Sequence, residues 1–332
     1  MFRKFAMAFG GILALIAATV GLGPTEPVDE TITFQESDLG NDLDAYLTTR
    51  ESHVPGITPG AEKQIIWSDP NAKAKTPIAL VYLHGFSATL EETRPMPDII
   101  AKDLGANIYY TRLTGHGRDG EALAQATVND WYNDTAEALA IGRTIGEKVI
   151  VIGVSTGATF ATWAAASPSV APDLMTNVAG MILASPNYGV NNPSADLLTL
   201  GAARQWLPFI AGAERSFDAV SEEHAKWWTT SYPTVALLPM MASVQHVSGL
   251  EVEKAAIPAL FIYHPTDQVV RSDLSRQFAE RWGSKTDAGA ATLIHEVLEA
   301  EDRYDHVIAG RILSPKNSEP LAKRAVDWIN SL

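Results

Sequence analysis

Apolar and polar positions alternate along this chain in blocks. Nearly continuous apolar runs occupy residues 77–84 (Pro77-Ile-Ala-Leu-Val-Tyr-Leu-His84), 108–113, 148–153, 180–184, 259–263 and 292–298, with a shorter one at 63–67. Runs of four to eight apolar residues without a polar face are what strands covered on both sides require. Between them lie stretches of helical period at 92–104, 128–145, 156–166 and 272–282, and another at 320–329 near the end. Strand and helix taken in turn imply an α/β fold: a mainly parallel sheet with helices on both faces.

Two intervals break this rhythm. Residues 187–254 hold no strand-like run but carry Trp206, Trp227, Trp228, Met240 and Met241. They are read as a helical cap inserted between two core strands. At the other interruption, Arg3 and Lys4 precede an uncharged apolar run over 5–22, closed by Gly23-Pro24. A basic start followed by such a run is an export signal; this one exceeds the usual apolar stretch of about 7–15 residues. It is expected either to be cut near Thr19-Val20-Gly21 or to stay as a membrane anchor. Both put the body outside the cytoplasm, in the periplasm or beyond. The chain thus divides into a signal or anchor (1–24), a polar extension (25–62), the first part of the core (63–186), the cap (187–254) and the second part of the core (255–332).

Composition narrows the function. At 332 residues and 46% hydrophobic the chain can bury a large interior. With 39 acidic against 25 basic residues its net charge is −14, which repels phosphate backbones and disfavours nucleic-acid partners. Absence of cysteine removes disulfides, thiolate metal sites, a cysteine nucleophile and a lipidated cysteine anchor.

The chemistry gathers at strand ends. Gly153-Val-Ser155-Thr-Gly157 follows an apolar strand directly and leads into a small-residue helix. This strand–turn–helix setting exposes a nucleophilic serine on a strained elbow; a plain glycine-rich turn is the bland alternative. A serine needs a base held by a carboxylate. His306, in the polar loop Glu301-Asp-Arg-Tyr-Asp-His306 after the last strand, is the candidate base, whereas His295 lies inside that strand as a structural residue. Asp267, just past the 259–263 strand, is the candidate acid, with a turn or N-cap role as its alternative. Asp302 and Asp305 are too near His306 in sequence to be preferred, though Asp305 could shape its loop. The backbone amides of Phe86 and Thr156 are the expected oxyanion donors, and His84 is read as a structural hydrogen-bonding residue. Gly115-His116-Gly117 is either a site wall or an ordinary turn. No cluster of His, Asp or Glu has metal-ligand spacing, so no metal is expected.

The turn His84-Gly85-Phe86, the segment Arg112-Leu-Thr-Gly-His-Gly117, the 153–157 elbow, Asp267 and His306 resemble, in that order, the α/β-hydrolase superfamily. Within it the chain is similar to the carboxylesterase and monoacylglycerol-lipase-like group and to the serine aminopeptidase-like hydrolases. The resemblance implies a Ser155–Asp267–His306 triad, a covalent acyl-enzyme, no cofactor and a lid at 187–254. Val154 and Thr156 depart from the His-Ser-Met-Gly elbow common among monoacylglycerol lipases. A serine rather than an aspartate at the elbow argues against the haloalkane dehalogenase and epoxide hydrolase branches.

The expected activity is hydrolysis of carboxylic esters, short- to medium-chain or monoacylglycerol-like. Trp206, Trp227 and Trp228 are expected to contribute to an apolar substrate pocket. One alternative is an exported aminopeptidase-like enzyme holding a substrate amine with Glu214, Asp218, Glu222 or Glu223. Another is a non-catalytic ligand sensor on the same fold. The expected partner is a small-molecule ester, with the N-terminal apolar run the feature that would bring the protein to a membrane.

Overall fold

The computed structural model describes residues 19–286 and 291–332. Its strands, in chain order, are β1 (Gln64–Ile66), β2 (Thr76–Leu83), β3 (Asn107–Tyr110), β4 (Gly146–Val154), β5 (Val178–Ala184), β6 (Glu214–Ser216), β7 (Ser231–Pro233), β8 (Ala259–Tyr263) and β9 (Thr292–Glu296). Seven of them form one sheet in the order β1-β3-β2-β4-β5-β8-β9, in which β1 runs antiparallel to β3 and the remaining pairs are parallel.

The two-residue period of each central strand feeds two separate cores. β2 sends Ala79, Val81 and Leu83 to one and Leu80 and Tyr82 to the other; β4 divides Val149 and Val151 from Ile150, Ile152 and Val154. On the first face the helices Val128–Ile145 and Thr156–Ala166 supply Trp131, Leu139, Phe160 and Trp163. On the second, Met96–Leu104 and Ser318–Ile329 supply Met96, Ile100, Leu321 and Trp328. Burial on both faces explains why these strands read as unbroken apolar runs rather than as alternating ones.

The helix expected from residue 92 starts at Met96 instead. Pro95 disfavours a helical Arg94, so residues 92–94 stay in a turn. The polar extension contains a helix of its own, Leu43–Ser52, started by Asp42 accepting from the Ala45 amide. Its Leu43 and Leu47 enter the first core together with Leu39. The insertion, read from sequence as free of strands, holds the antiparallel pair β6–β7, each strand three residues long and too short to leave an apolar pattern. Its helix Leu237–Ser248 buries Met240, Met241, Val244 and Val247 in the first core, so this part of the insertion packs as core rather than as a detached lid.

All parallel strands end on one edge of the sheet. Because β3 and β4 flank β2 on opposite sides, the chain changes direction beside the end of β2, the place where open α/β sheets build their sites. Among the described residues no helix is long and apolar enough to cross a membrane. The signal or anchor expected at 1–24 falls largely outside the described residues. At its described end, Gly201 and Ala202 of the insertion donate backbone hydrogen bonds to Val20 O at 2.9 Å and Pro24 O at 2.7 Å.

Candidate active site

β4 delivers Ser155 to this edge of the sheet with φ 51° and ψ −116°. A side chain other than hydrogen rarely adopts a positive φ, and this strained turn lifts the hydroxyl clear of the sheet edge. It survives because the neighbours are small and the backbone is held. A Cβ on Gly157 would lie 2.1 Å from Leu83 O, and one on Gly153 would lie 2.7 Å from Ala158 Cα. Ser155 N donates to Ala184 O on β5 at 2.9 Å, and its carbonyl accepts from Asn187 N at 3.2 Å.

The loops after β8 and β9 bring two more groups to this point. His306 Nε2 lies 3.1 Å from Ser155 Oγ, and its Nδ1 lies 2.8 Å from Asp267 Oδ2. Asp267 serves its own turn as well: its Oδ1 accepts the amides of Val269 at 2.8 Å and Val270 at 2.9 Å. The turn role and the histidine contact therefore coexist on the two oxygens of one carboxylate. The N-cap position of the following helix belongs to Arg271. Burial pulls the His306 pKa down, but the charge and hydrogen bond of Asp267, with the charges of Glu92 and Asp302, outweigh it and leave the imidazole above its usual value.

Asp302 fixes the loop that carries His306. Its Oδ2 accepts the amides of His306 at 3.1 Å and Val307 at 3.0 Å. Ser185, at the end of β5, donates from Oγ to His306 O at 2.6 Å. Asp305 accepts from Thr266 Oγ1 at 2.8 Å and thereby ties the β8 and β9 loops together. Sequence reading missed the roles of Asp302 and Ser185; their signal was position alone, next to His306 and at a strand end.

On the other side stands the turn after β2. His84 is fully buried, with Nδ1 2.9 Å from Gly85 O and Nε2 accepting from Leu113 N at 3.1 Å. Burial lowers its pKa to about 4, so it is a neutral structural histidine. His116 lies with its ring edge-to-face to both His84 and Phe86, and burial together with His84 holds it well below its usual pKa. The Gly115-His116-Gly117 turn thus backs the Phe86 turn from behind. Thr156 is the first residue of its helix, where an amide has no acceptor within the helix. The Phe86 turn reaches Ser155 at Gly85, where a Cβ would lie 3.1 Å from Ser155 Cβ, and Thr156 follows Ser155 in the chain.

The cap closes over this turn. Thr229 N donates to Ser87 O at 2.7 Å, and Tyr232 on β7 meets the Phe86 ring edge-to-face at 5.5 Å. Trp227 and Trp228 are buried with Ala61 and Ala88, two residues past Phe86. Trp206 lies farther out, in a cluster of Ala203, Leu207 and Leu238, with its indole donating to Gly201 O at 3.0 Å. The structure therefore places two of the three tryptophans against the core beside the Phe86 turn and the third within the cap. His53 and His246 are engaged elsewhere, by Thr49 O and Glu30, and His295 lies on β9 opposite Ile262. Among the described residues no group of three His, Asp or Glu is arranged to hold a metal ion.

A parallel sheet covered on both faces, with a serine elbow at the end of β4 and the acid and histidine loops after β8 and β9, defines an α/β-hydrolase. The sequence narrows this further. Residues 75–302 match the family model Hydrolase_4, serine aminopeptidase S33, and the chain belongs to that family. It is 23% identical over 203 residues to the thermostable monoacylglycerol lipase of Bacillus sp. (strain H-257), a match covering 61% of this chain and 76% of the relative. Solved structures share the fold. A structure from work on the metagenome-derived lipolytic enzymes LipS and LipT superposes with a TM-score of 0.60 at 19% identity, covering 83% of this chain and 100% of its own. The soluble variant of monoglyceride lipase from Saccharomyces cerevisiae gives 0.59 at 13% identity, over 82% of this chain and 92% of its own. The chain is thus an α/β-hydrolase of the lipase- and esterase-like, monoacylglycerol-lipase-like group.

Proposed function

We propose that the protein hydrolyses carboxylic esters through an acyl-enzyme on Ser155. The observation that carries this reading is the continuous contact from Asp267 through His306 to Ser155, at 2.8 and 3.1 Å. His306 Nε2 takes the Ser155 proton as the oxygen attacks the acyl carbonyl, and Asp267 accepts the Nδ1–H so that the imidazole keeps the working tautomer. The Phe86 and Thr156 amides receive the oxyanion. His306 then passes the proton to the departing alcohol. Water, deprotonated by the same nitrogen, cleaves the acyl-enzyme and restores the serine.

Short- to medium-chain acyl esters and monoacylglycerols are the proposed substrates. The monoacylglycerol lipases among its relatives and the aromatic packing of the cap over the Phe86 turn support that class. The peptidase alternative needs a carboxylate that can hold an amine near the serine. Glu214, Asp218, Glu222 and Glu223 are all exposed, and Glu223 is paired with Arg311 at 2.8 Å. A panel of p-nitrophenyl esters, monoacylglycerols and aminoacyl anilides tests the reading. Turnover of the esters, absent in a folded Ser155→Ala variant, is expected; turnover of anilides alone would reject it. From Arg3, Lys4 and the apolar run at 5–22 we also propose export, with the body outside the cytoplasm and the apolar run as the element that meets the membrane.

A further inference from the structure

The mechanism above leaves a buried acid beside the reacting serine without a task. Glu92 is 3% exposed, and its Oε2 accepts the Gly85 amide at 2.6 Å. A Cβ built on Gly85 would lie 2.6 Å from Glu92 Oε1 and 3.1 Å from Ser155 Cβ. The carboxylate and the serine side chain therefore both border the space that a side chain at Gly85 would fill. The loop beyond His306 closes on the same residue: a Cβ on Gly310 would lie 2.5 Å from Glu92 O, and Arg311 N donates to Arg94 O at 2.8 Å. Tyr82 OH, from β2, meets Thr93 Oγ1 at 2.9 Å and ties the turn to the sheet. One short turn is thus tied to the Gly85 amide and to the loop beyond His306, and it borders the serine side chain.

Resting on the proposed role of Ser155, we propose that Glu92 is a positioning residue of the acyl-transfer centre: its carboxylate fixes the Gly85 amide, so that the next amide, of Phe86, is presented to the oxyanion. A peptide turn such as His84-Gly85-Phe86 has several accessible orientations once glycine is in it. Holding the Gly85 N–H restricts the orientation of the following Phe86 amide, and preorganised donors act without reorientation during reaction. The charge acts on the base. The negative groups acting on His306 are Asp267 from the β8 loop, Asp302 from its own loop and Glu92 from the turn after β2; all three favour the imidazolium that forms as Ser155 attacks. On the Glu92 side the ionisable neighbours are His306 and the buried phenol of Tyr82. Burial raises the Glu92 carboxyl to about 7, against the Gly85 hydrogen bond and the His306 charge.

Two variants separate the hydrogen bond from the charge. Glu92→Gln keeps an acceptor for Gly85 N–H and loses the charge; Glu92→Ala loses both. For Glu92→Ala, kcat toward a p-nitrophenyl ester is expected to fall roughly 10- to 100-fold with KM changed less than about 3-fold, the signature of a misplaced transition-state donor. For Glu92→Gln, kcat recovers most of that loss, while the acid limb of the kcat/KM profile moves to lower pH, because His306 loses a neighbouring group that carries charge when ionised. A merely structural role would lower the melting temperature and leave that limb in place. His306 is also titrated directly, by 1H–15N correlation of its ring nitrogens in wild type and Glu92→Gln, and its pKa is expected to drop. That readout needs no turnover: an inert wild-type protein would sink the proposed activity, and the titration would still judge Glu92. A folded Glu92→Ala enzyme with wild-type kcat, or a His306 titration unchanged in Glu92→Gln, overturns the proposal.

Discussion

His306 is buried, yet the proposed mechanism requires it to take and hold a proton. Burial alone would depress its pKa, and the carboxylates of Asp267, Glu92 and Asp302 reverse that effect. The sign fixes a pH dependence. The base works when neutral, so kcat/KM should fall as pH drops through a limb lying above the ordinary histidine value near 6.5. A profile whose acid limb lies well below that value would contradict the charge environment described. His306→Ala should lose several orders of magnitude in kcat, whereas His295→Ala, changing a partly exposed residue on an edge strand, should stay within about 2-fold. Asp267 divides its oxygens between the Val269 and Val270 amides and the His306 ring. Asp267→Asn can keep the turn with its amide oxygen, but it then presents an NH₂ to His306 Nδ1 and favours the wrong tautomer. Its kcat should fall by about 10⁴ with KM changing far less. Equal turnover in Asp267→Asn and wild type would move the acid elsewhere. At this scale Ser155, Asp267 and His306 were legible in the sequence because each follows a strand and is punctuated by turn residues. Glu92 was not, because its segment continues into a helical pattern and only Pro95 marks that the helix begins later.

Between elements, the site depends on packing from outside the sheet. The extension helix Leu43–Ser52 places Glu51 against Arg112, in a buried pair at 2.7 and 2.8 Å. Arg112 Nη1 also donates to His116 O at 3.2 Å, so this pair reaches the turn behind Phe86. Lys63 stands between Asp134, at 3.1 Å, and Glu137, and Tyr46 OH donates to Glu137 at 2.5 Å. Removing one member of a buried, hydrogen-bonded pair leaves an uncompensated charge, so Glu51→Ala should destabilise the protein by about 3–5 kcal/mol. Urea unfolding measures this; a loss below about 1 kcal/mol would mean that water or another group replaces Glu51. None of this was visible in the sequence, where the extension reads as polar and turn-rich and Glu51 lies 61 residues from Arg112. The cap was visible only as an interruption. Because Trp228 packs beside Ala88 and Trp206 packs within the cap, Trp228→Ala should shift the ester chain-length profile and Trp206→Ala should leave it unchanged. Each methylene in such an apolar pocket discriminates by only about 1–3 kcal/mol, so the shift is one of preference within a broad range. The reverse pattern in folded variants would assign the pocket to the outer cap.

For the whole molecule, the sheet was legible because its central strands are buried on both faces and so appear as apolar runs. Strands without that burial were blurred: β6 and β7 leave no pattern, and the half-exposed edge strand β9 ends at Glu296, before the end of its apolar run. The N-terminal run and the body make separate predictions. Expressed as the full chain with a C-terminal tag, the protein should appear outside the cytoplasmic fraction, and replacing Arg3 and Lys4 by Glu should impair its export; unchanged cytoplasmic recovery of both would remove the address from the account. The central claim is narrower: Ser155, activated by His306, is the nucleophile of an acyl-transfer centre. Its most direct measurement is labelling of the purified protein with a fluorophosphonate, followed by peptide mass spectrometry. One phosphonyl adduct on Ser155, lost in Ser155→Ala and suppressed in His306→Ala while both variants stay folded, is the result expected. Absence of any adduct, or an adduct on another serine that persists in Ser155→Ala, would contradict it.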